Sequence, residues 1–309
     1  MNRTFNKPFS ARVKRDISRH KYKYLLILPV VLYFILFHYK AMYGVIIAFK
    51  DYRPTLGIME SEWIGFKNFI DFFEDIYFWR LIRNTVSISL LTLLFTFPVP
   101  IVLALLLNEV KVSWFKRGVQ TITYMPHFIS IVVVCGLVKA YCQSNGLIND
   151  IIVWFGGERS NLLASNTYFY PIYILSEIWQ NVGWNSIIFL AALAGIDQEQ
   201  YEAAKVDGAG RIRQMIYITL PGLIPVVSML LVLNLGSVLS VGSDKILLLY
   251  QPLTYEVADV ISTYVYRKGI WGASYSFGTA VNLFNAAVNI CFLLASNKIS
   301  KKLGQSGLF

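Results

Sequence analysis

The sequence predicts a polytopic all-α membrane protein with six transmembrane helices, and three observations carry that reading. Hydrophobic residues make up 56% and aromatics 15% of the 309 residues, and mean hydropathy is +0.53, well beyond what a soluble domain needs to fill one core. Six apolar stretches, near 24–49, 84–107, 122–141, 168–196, 222–242 and 277–297, are each long enough to cross about 30 Å of hydrocarbon, which takes roughly 20 helical residues. None shows the two-residue alternation of a barrel strand, and lipid offers the backbone no hydrogen-bond partner, so helices are the economical solution.

Taken in order, residues 1–23 form a basic tail with eight cations (Arg3, Lys7, Arg12, Lys14, Arg15, Arg19, Lys21, Lys23) against one acid, Asp16. Positive charge is retained inside, so this end is expected in the cytoplasm. Phe9, Val13, Ile17 and Tyr24 recur at helical spacing, which suits a helix at the inner headgroups or a disordered basic tail. The first span is too long, and lacks a small-x-small site, for a cleaved signal peptide. With six spans the tail 298–309, carrying Lys298, Lys301 and Lys302, is also cytoplasmic.

Loops near 50–83, 142–167 and 243–276 then lie outside, long enough for short surface helices. Asp51, Glu60, Glu62, Asp71, Glu74 and Asp75 read as a solvated acidic loop. The net charge of +10 concentrates in the tail and short loops, so we assign it to topology and the lipid bilayer, not to nucleic acid. Cys135, Cys142 and Cys291 imply no disulfide framework, and His20, His38 and His127 lack the clustered partners of a metal site. There is no internal repeat, so residues 24–297 form one domain.

The segment 197–221 differs from every other connection. Asp197 can cap a helix from Gln198, with Gln200 in the capping-box position. Gly208 and Gly210 let the chain turn before a second apolar stripe of Ile212, Met215, Ile216 and Ile218, and Pro221 sits where the first turn of the fifth span tolerates it. Such a helix can pass rigid-body motion from a cytosolic partner into the membrane. An amphipathic linker resting on the bilayer fits the same residues.

Glu202-Ala203-Ala204, Asp207-Gly208, Ile218, Leu220 and Pro221 resemble the loop by which membrane subunits of binding-protein-dependent ABC importers engage their ATPase. Tyr124-Met125-Pro126-His127-Phe128-Ile129-Ser130, Gly183-Trp184-Asn185-Ser186-Ile187-Ile188-Phe189-Leu190 and Ala258–Arg267 resemble the carbohydrate-uptake (maltose-type and polysaccharide-type) branch. The resemblance covers the chain from about residue 24 onward. It departs in lacking the proline often found ahead of Glu202 and the large extracytoplasmic insertion of the maltose-type subunit. It implies a permease subunit in a bacterial cytoplasmic membrane, paired with a second homologous permease chain, two ATPase subunits and an extracellular solute-binding lipoprotein that delivers an oligosaccharide. The coupling residues carried over are Glu202, Ala203, Ala204, Asp207, Gly208, Ile218, Leu220 and Pro221.

No G-x-x-x-x-G-K-[S/T] loop exists in the chain, so ATP and Mg are expected in the partner ATPases, and no nucleophile, base and acid group marks an enzyme site. Glu177, Asn181, Trp184, Asn185 and Ile188 fall near one face of the fourth span, where polar groups are costly unless paired or wet. With Trp179 and Gln180 they are candidates to line a solute path, since sugars take aromatic faces under CH surfaces and amides on hydroxyls; bridging between helices is the competing role. Asn282, Asn285 and Asn289 in the sixth span read as glue between helices. Two other functions stay open from residues alone: an ion-gradient-driven secondary transporter, for which Glu177 is the one deep acid, and a non-transporting membrane scaffold.

Overall fold

The computed structural model describes residues 18–239 and 242–302, together with Asp16 and Gly304. Most of the basic tail, with its Phe9, Val13 and Ile17 spacing, and Ser240 lie outside the described residues. The architecture is an all-α bundle, and the one strand pairing among the described residues is antiparallel, Lys50–Asp51 with Glu62–Trp63.

Helix α1 (Lys21–Tyr33) continues through a π turn at Phe34–Tyr39 and a 3-10 stretch to Phe49. No residue of α1 is buried, and its leucines, isoleucine and valines face outward, as lipid solvent permits. Helices α2 (Phe78–Thr96) and α3 (Pro98–Glu109) form one 32-residue run. Next come α4 (Ser113–Tyr124), α5 (Ile131–Cys142), α6 (Asn166–Ala194), α7 (Gln198–Val206) and α8 (Leu220–Leu235). The chain closes with α9 (Ser243–Leu249), α10 (Ile261–Val265) and α11 (Tyr275–Lys302).

Five helical runs among the described residues are long and apolar enough to cross a membrane: Lys21–Phe49, Phe78–Glu109, Ile131–Trp154, Arg211–Leu235 and Tyr275–Lys302. The sixth long helix, α6, has 29 residues. Its Glu177, Gln180, Asn181 and Asn185 lower its hydropathy below theirs.

Four expectations are corrected. The third span is not continuous over 122–141: Pro126, which has no N–H, sits in a 3-10 turn at Met125–Phe128, and Ile129 and Ser130 are extended. The fifth span ends at Leu235, not 242, where the chain turns at Gly236. There a side chain would meet Leu293 Cδ1 at 2.6 Å. Asn289 Oδ1 accepts from Leu239 N at 3.0 Å and Asn285 Nδ2 donates to Leu239 O at 3.2 Å, the bridging expected of the sixth span's asparagines.

The third correction concerns the short surface helices expected in the outside loop 243–276: part of that segment packs into the core. Ala258, Asp259, Val260 and Ile261 are each 0% exposed. Asp259 pairs with Arg267 at 2.6 Å and Arg80 at 3.5 Å, and its carbonyl accepts from Asn84 Nδ2 at 3.0 Å. Asp75 is likewise not a solvated loop acid: it accepts from Lys268 Nζ at 2.8 Å and from the Tyr264 hydroxyl. Burial opposes its ionisation, yet these hydrogen bonds hold its carboxyl below the usual carboxylate range. Ile261, Tyr264 and Val265 pack there with Phe72, Leu81, Phe277 and Val281. A second core, Ala104, Phe189, Leu193 and Leu223, lies toward the opposite end, beside the 197–221 connection.

Candidate functional site

Helix α6 carries one site along its length and leads into another at its end. The stripe of polar residues predicted on it faces a cavity of about 830 Å³. Glu177, Gln180, Asn181, Trp184 and Asn185 line it from α6, facing Ser89, Thr92 and Thr96 from α2 and Asn234 from α8. Trp179 does not. It sits about 200° round the helix from Glu177 at 100° per residue, 47% exposed on another face, so the sixth candidate is corrected.

A chain of contacts organises the wall. Lys245 Nζ, from α9, donates to Glu177 Oε2 at 2.8 Å. Asn181 Nδ2 donates to Glu177 Oε1 at 2.6 Å, and Asn181 Oδ1 meets His127 Nδ1 at 2.9 Å. The His127 ring stacks on Trp184, 4.6 Å between centroids and 4° from parallel, with Phe128 edge-on at 5.4 Å. One face of Trp184 is therefore fixed by the break in the third span. Gln180 Nε2 donates to Ile129 O, a carbonyl freed by that break, at 3.4 Å; Gln180 Oε1 is buried without a partner among the described residues. The break comes this close because Gly183 has no side chain: a Cβ there would lie 2.1 Å from Thr123 O.

The connection 197–221 folds as helix, turn, helix. Asp197 Oδ1 accepts from Glu199 N at 3.0 Å and starts α7; no bond from Gln200 back to Asp197 is present among the described residues. Gly208, at φ 76°, ends the helix in the left-handed region, with Ala209 N bonded to Ala204 O at 2.8 Å. Nothing lies within 4 Å of a Cβ built on Gly208, so the turn's geometry and not space selects glycine. Arg211–Gln214 and a π turn at Met215–Thr219 then lead into α8 with Pro221 in its first turn. Tyr201 Oη and Thr219 Oγ1, 3.0 Å apart, tie α7 to that helix. Glu202, Ala203, Asp207 and Gly208 are exposed and Ala204 half-buried on the loop; Ile218 is half-buried, and Leu220 and Pro221 exposed, on the ascending segment.

Residues 96–301 match the family described as the binding-protein-dependent transport system inner membrane component. The chain belongs to that family. This permease is 46% identical over 306 residues to the polygalacturonan/rhamnogalacturonan transport system permease protein YteP of Bacillus subtilis (strain 168), covering 99% of this chain and 95% of the relative. It superposes with TM-score 0.87 and 46% identity on a subunit of a bacterial ABC transporter involved in the import of the acidic polysaccharide alginate, covering 94% of this chain and 99% of that one. A bacterial alginate ABC transporter in complex with an alginate pentasaccharide-bound periplasmic protein gives 0.89 and 44%, covering 96% and 100%. Membership sets aside the secondary-transporter and scaffold alternatives.

Sequence reasoning missed part of this permease's cavity. Lys245 was placed in an outside loop, yet its side chain is 3% exposed. A lone lysine opening the apolar run Ile246-Leu247-Leu248-Leu249 was the available signal. The spacing of Ser89, Thr92 and Thr96 on α2 marks a polar face by the same logic as the stripe on α6. The Tyr201–Thr219 tie had no local signal.

Proposed function

We propose that this chain is one permease subunit of an ATP-driven importer that passes an oligosaccharide, of the acidic, uronate-containing kind, by alternating access. An extracellular solute-binding protein delivers the sugar. A second permease chain completes the path, and two ATPase subunits, holding ATP and Mg, engage the loop around Glu202, Ala203, Ala204, Asp207 and Gly208. Both termini and that loop face the cytoplasm of a bacterial cell.

The observation that carries the reading is that one rigid element joins both sites. Helix α6 lines the cavity with Glu177, Gln180, Asn181, Trp184 and Asn185 and ends at Ala194, just before the Asp197 cap. Motion of α7 is thus passed to the cavity wall through only the three-residue turn Gly195-Ile196-Asp197. Amides and an indole braced on one face suit hydroxyls and the CH face of a sugar ring, and the cargo named for the relatives supports the acidic class.

The test is a detergent pull-down of the tagged chain from its native membrane, wild type against Gly208→Asp, with uptake measured in parallel. Recovery of a second six-helix chain and an ATPase, with the ATPase weakened and uptake lost in the variant, is expected. A chain recovered alone from membranes where control complexes survive, or normal uptake by Gly208→Asp, overturns the assignment.

A further inference from the structure

Three charged side chains line the cavity among the described residues: Glu177, Asp244 and Lys245. Asp244 is exposed, so water and salt screen it. Glu177 and Lys245 form a 2.8 Å ion pair whose members share exposure unequally, 27% for the Glu177 side chain and 3% for Lys245. The cavity therefore meets the carboxylate, while the ammonium lies behind it, 5.3 Å from the centre of the Tyr173 ring. Asn181 donates to the other oxygen of Glu177 at 2.6 Å, which keeps the carboxylate turned between lysine and amide. The remaining polar lining, Ser89, Thr92, Gln180, Asn185 and Asn234 among it, is uncharged.

A lone carboxylate in such a wall would repel any anion passing it, and the low local dielectric would leave that repulsion poorly screened. A lone ammonium would hold the same anion and slow its departure. A compensated pair does neither, and it still offers oxygens to sugar hydroxyls.

We propose that the Glu177–Lys245 pair is a specificity-determining element that makes the α6 face of the cavity electrically neutral, so that a uronate oligosaccharide passes it neither repelled nor trapped. Lys245 acts through Glu177 and is a positioning and charge-compensating residue, not one that must touch the sugar. The inference rests on the reading of this cavity as the path of an acidic glycan.

The experiment measures binding of trigalacturonate and of its neutral trimethyl ester to the detergent-solubilised transporter complex by saturation-transfer NMR, which reads weak binding of each sugar separately. In wild type the two bind with similar strength. Glu177→Gln leaves Lys245 uncompensated and shifts the ratio toward trigalacturonate by about tenfold; Lys245→Met shifts it about as far toward the ester. Lys245→Met/Glu177→Gln, which removes both charges, restores the wild-type ratio. A pair that only holds helices together would weaken both sugars alike, so the ratio separates the roles. Glu177→Gln keeps the side chain's shape and carries the test if Lys245→Met fails to assemble. An unmoved ratio in complexes that still bind sugar overturns the proposal and leaves the glycan path standing. A wild-type complex that binds neither sugar overturns the glycan path, and the role of the pair with it.

Discussion

The two ends of the bundle are built on opposite plans. At one, the segment 243–276 folds back into the protein, with Asp259 wholly buried between Arg80 and Arg267 and with Ile261, Tyr264 and Val265 in an apolar core. At the other, α7 buries no residue, and Val206, Ile212 and Tyr217 are 88%, 71% and 72% exposed. The first end holds its shape with its own charges and core. The second is held by a cap, one left-handed glycine, the Tyr201–Thr219 hydroxyl pair and a donation from Gln214 Nε2 to Ala209 O at 2.8 Å, beside the small core of Ala104, Phe189, Leu193 and Leu223, and it leaves most of its residues exposed. The proposed grip on an ATPase subunit gains from that plan, since a stiff frame under an unsatisfied surface transmits motion without a partner-sized cost of ordering.

The comparison can be broken first at the buried end. Asp259→Ala removes the 2.6 Å partner of Arg267 and leaves Arg80 only its 3.9 Å contact with Glu256, and is expected to destabilise the chain by about 3 kcal/mol, read as a lowered thermal midpoint of the detergent-solubilised protein. A midpoint within error of wild type would mean that the ion pairs are peripheral to this end's stability. Next comes the crossing that places Trp184 and His127 on the cavity wall. Gly183→Ala sets a methyl against the Thr123 carbonyl, whose oxygen allows 2.1 Å, and should cost about 1–3 kcal/mol by overpacking with loss of transport. Unchanged uptake would mean that the helices separate there freely.

At the open end the expected effects on stability are smaller. Gly208→Val demands a positive φ that a β-branched residue resists, about 1–2 kcal/mol of strain, with empty space around it. Binding of the proposed ATPase partner should fall by far more than the thermal midpoint does. Equal losses in both would show that the loop is a folding element and not a docking one. Tyr201→Phe removes the bond to Thr219, worth about 0.5–1.5 kcal/mol. It should speed amide hydrogen exchange in 198–209 while leaving 255–265 unchanged.

The ends also differ in how much of each was legible in the sequence. The open end was read nearly in full, because its signals are local: a capping aspartate, glycines at the turn, a proline one step into a helix. The stripe on α6 was legible for the same reason, since Glu177, Asn181, Trp184 and Ile188 recur at the helical period. Trp179 was included for its chemistry against that period, and the period prevailed. The buried end was misread because its partners are far apart in sequence. Asp259 finds Arg80, Asp75 finds Lys268 and Lys245 finds Glu177, and no window of twenty residues holds both members of any such pair. Apart from Glu177, each of these charges alone reads as a loop residue. The Pro126 break lies between: a proline after an amphipathic stretch was visible, but the apolar run on either side favoured one continuous span.

The smallest expected effect tests whether the buried end is held by charge or only by packing. The Asp75 carboxyl titrates below its ordinary value: burial pushes it up, but hydrogen bonds from Lys268 and Tyr264 more than offset that. A group with a depressed folded-state pKa adds stability above its unfolded value, and loses it as pH falls through the folded one. With an ordinary aspartate near 3.8, that contribution should be intact at neutral pH and fade only below about pH 4. Asp75→Asn should therefore lower the thermal midpoint at pH 7, and the gap to wild type should narrow as the pH falls below about 4. Parallel curves across that range would show that the Asp75–Lys268 contact, at 2.8 Å, contributes packing alone. In that case the charge-held character of this end would reside in Asp259 and its two arginines.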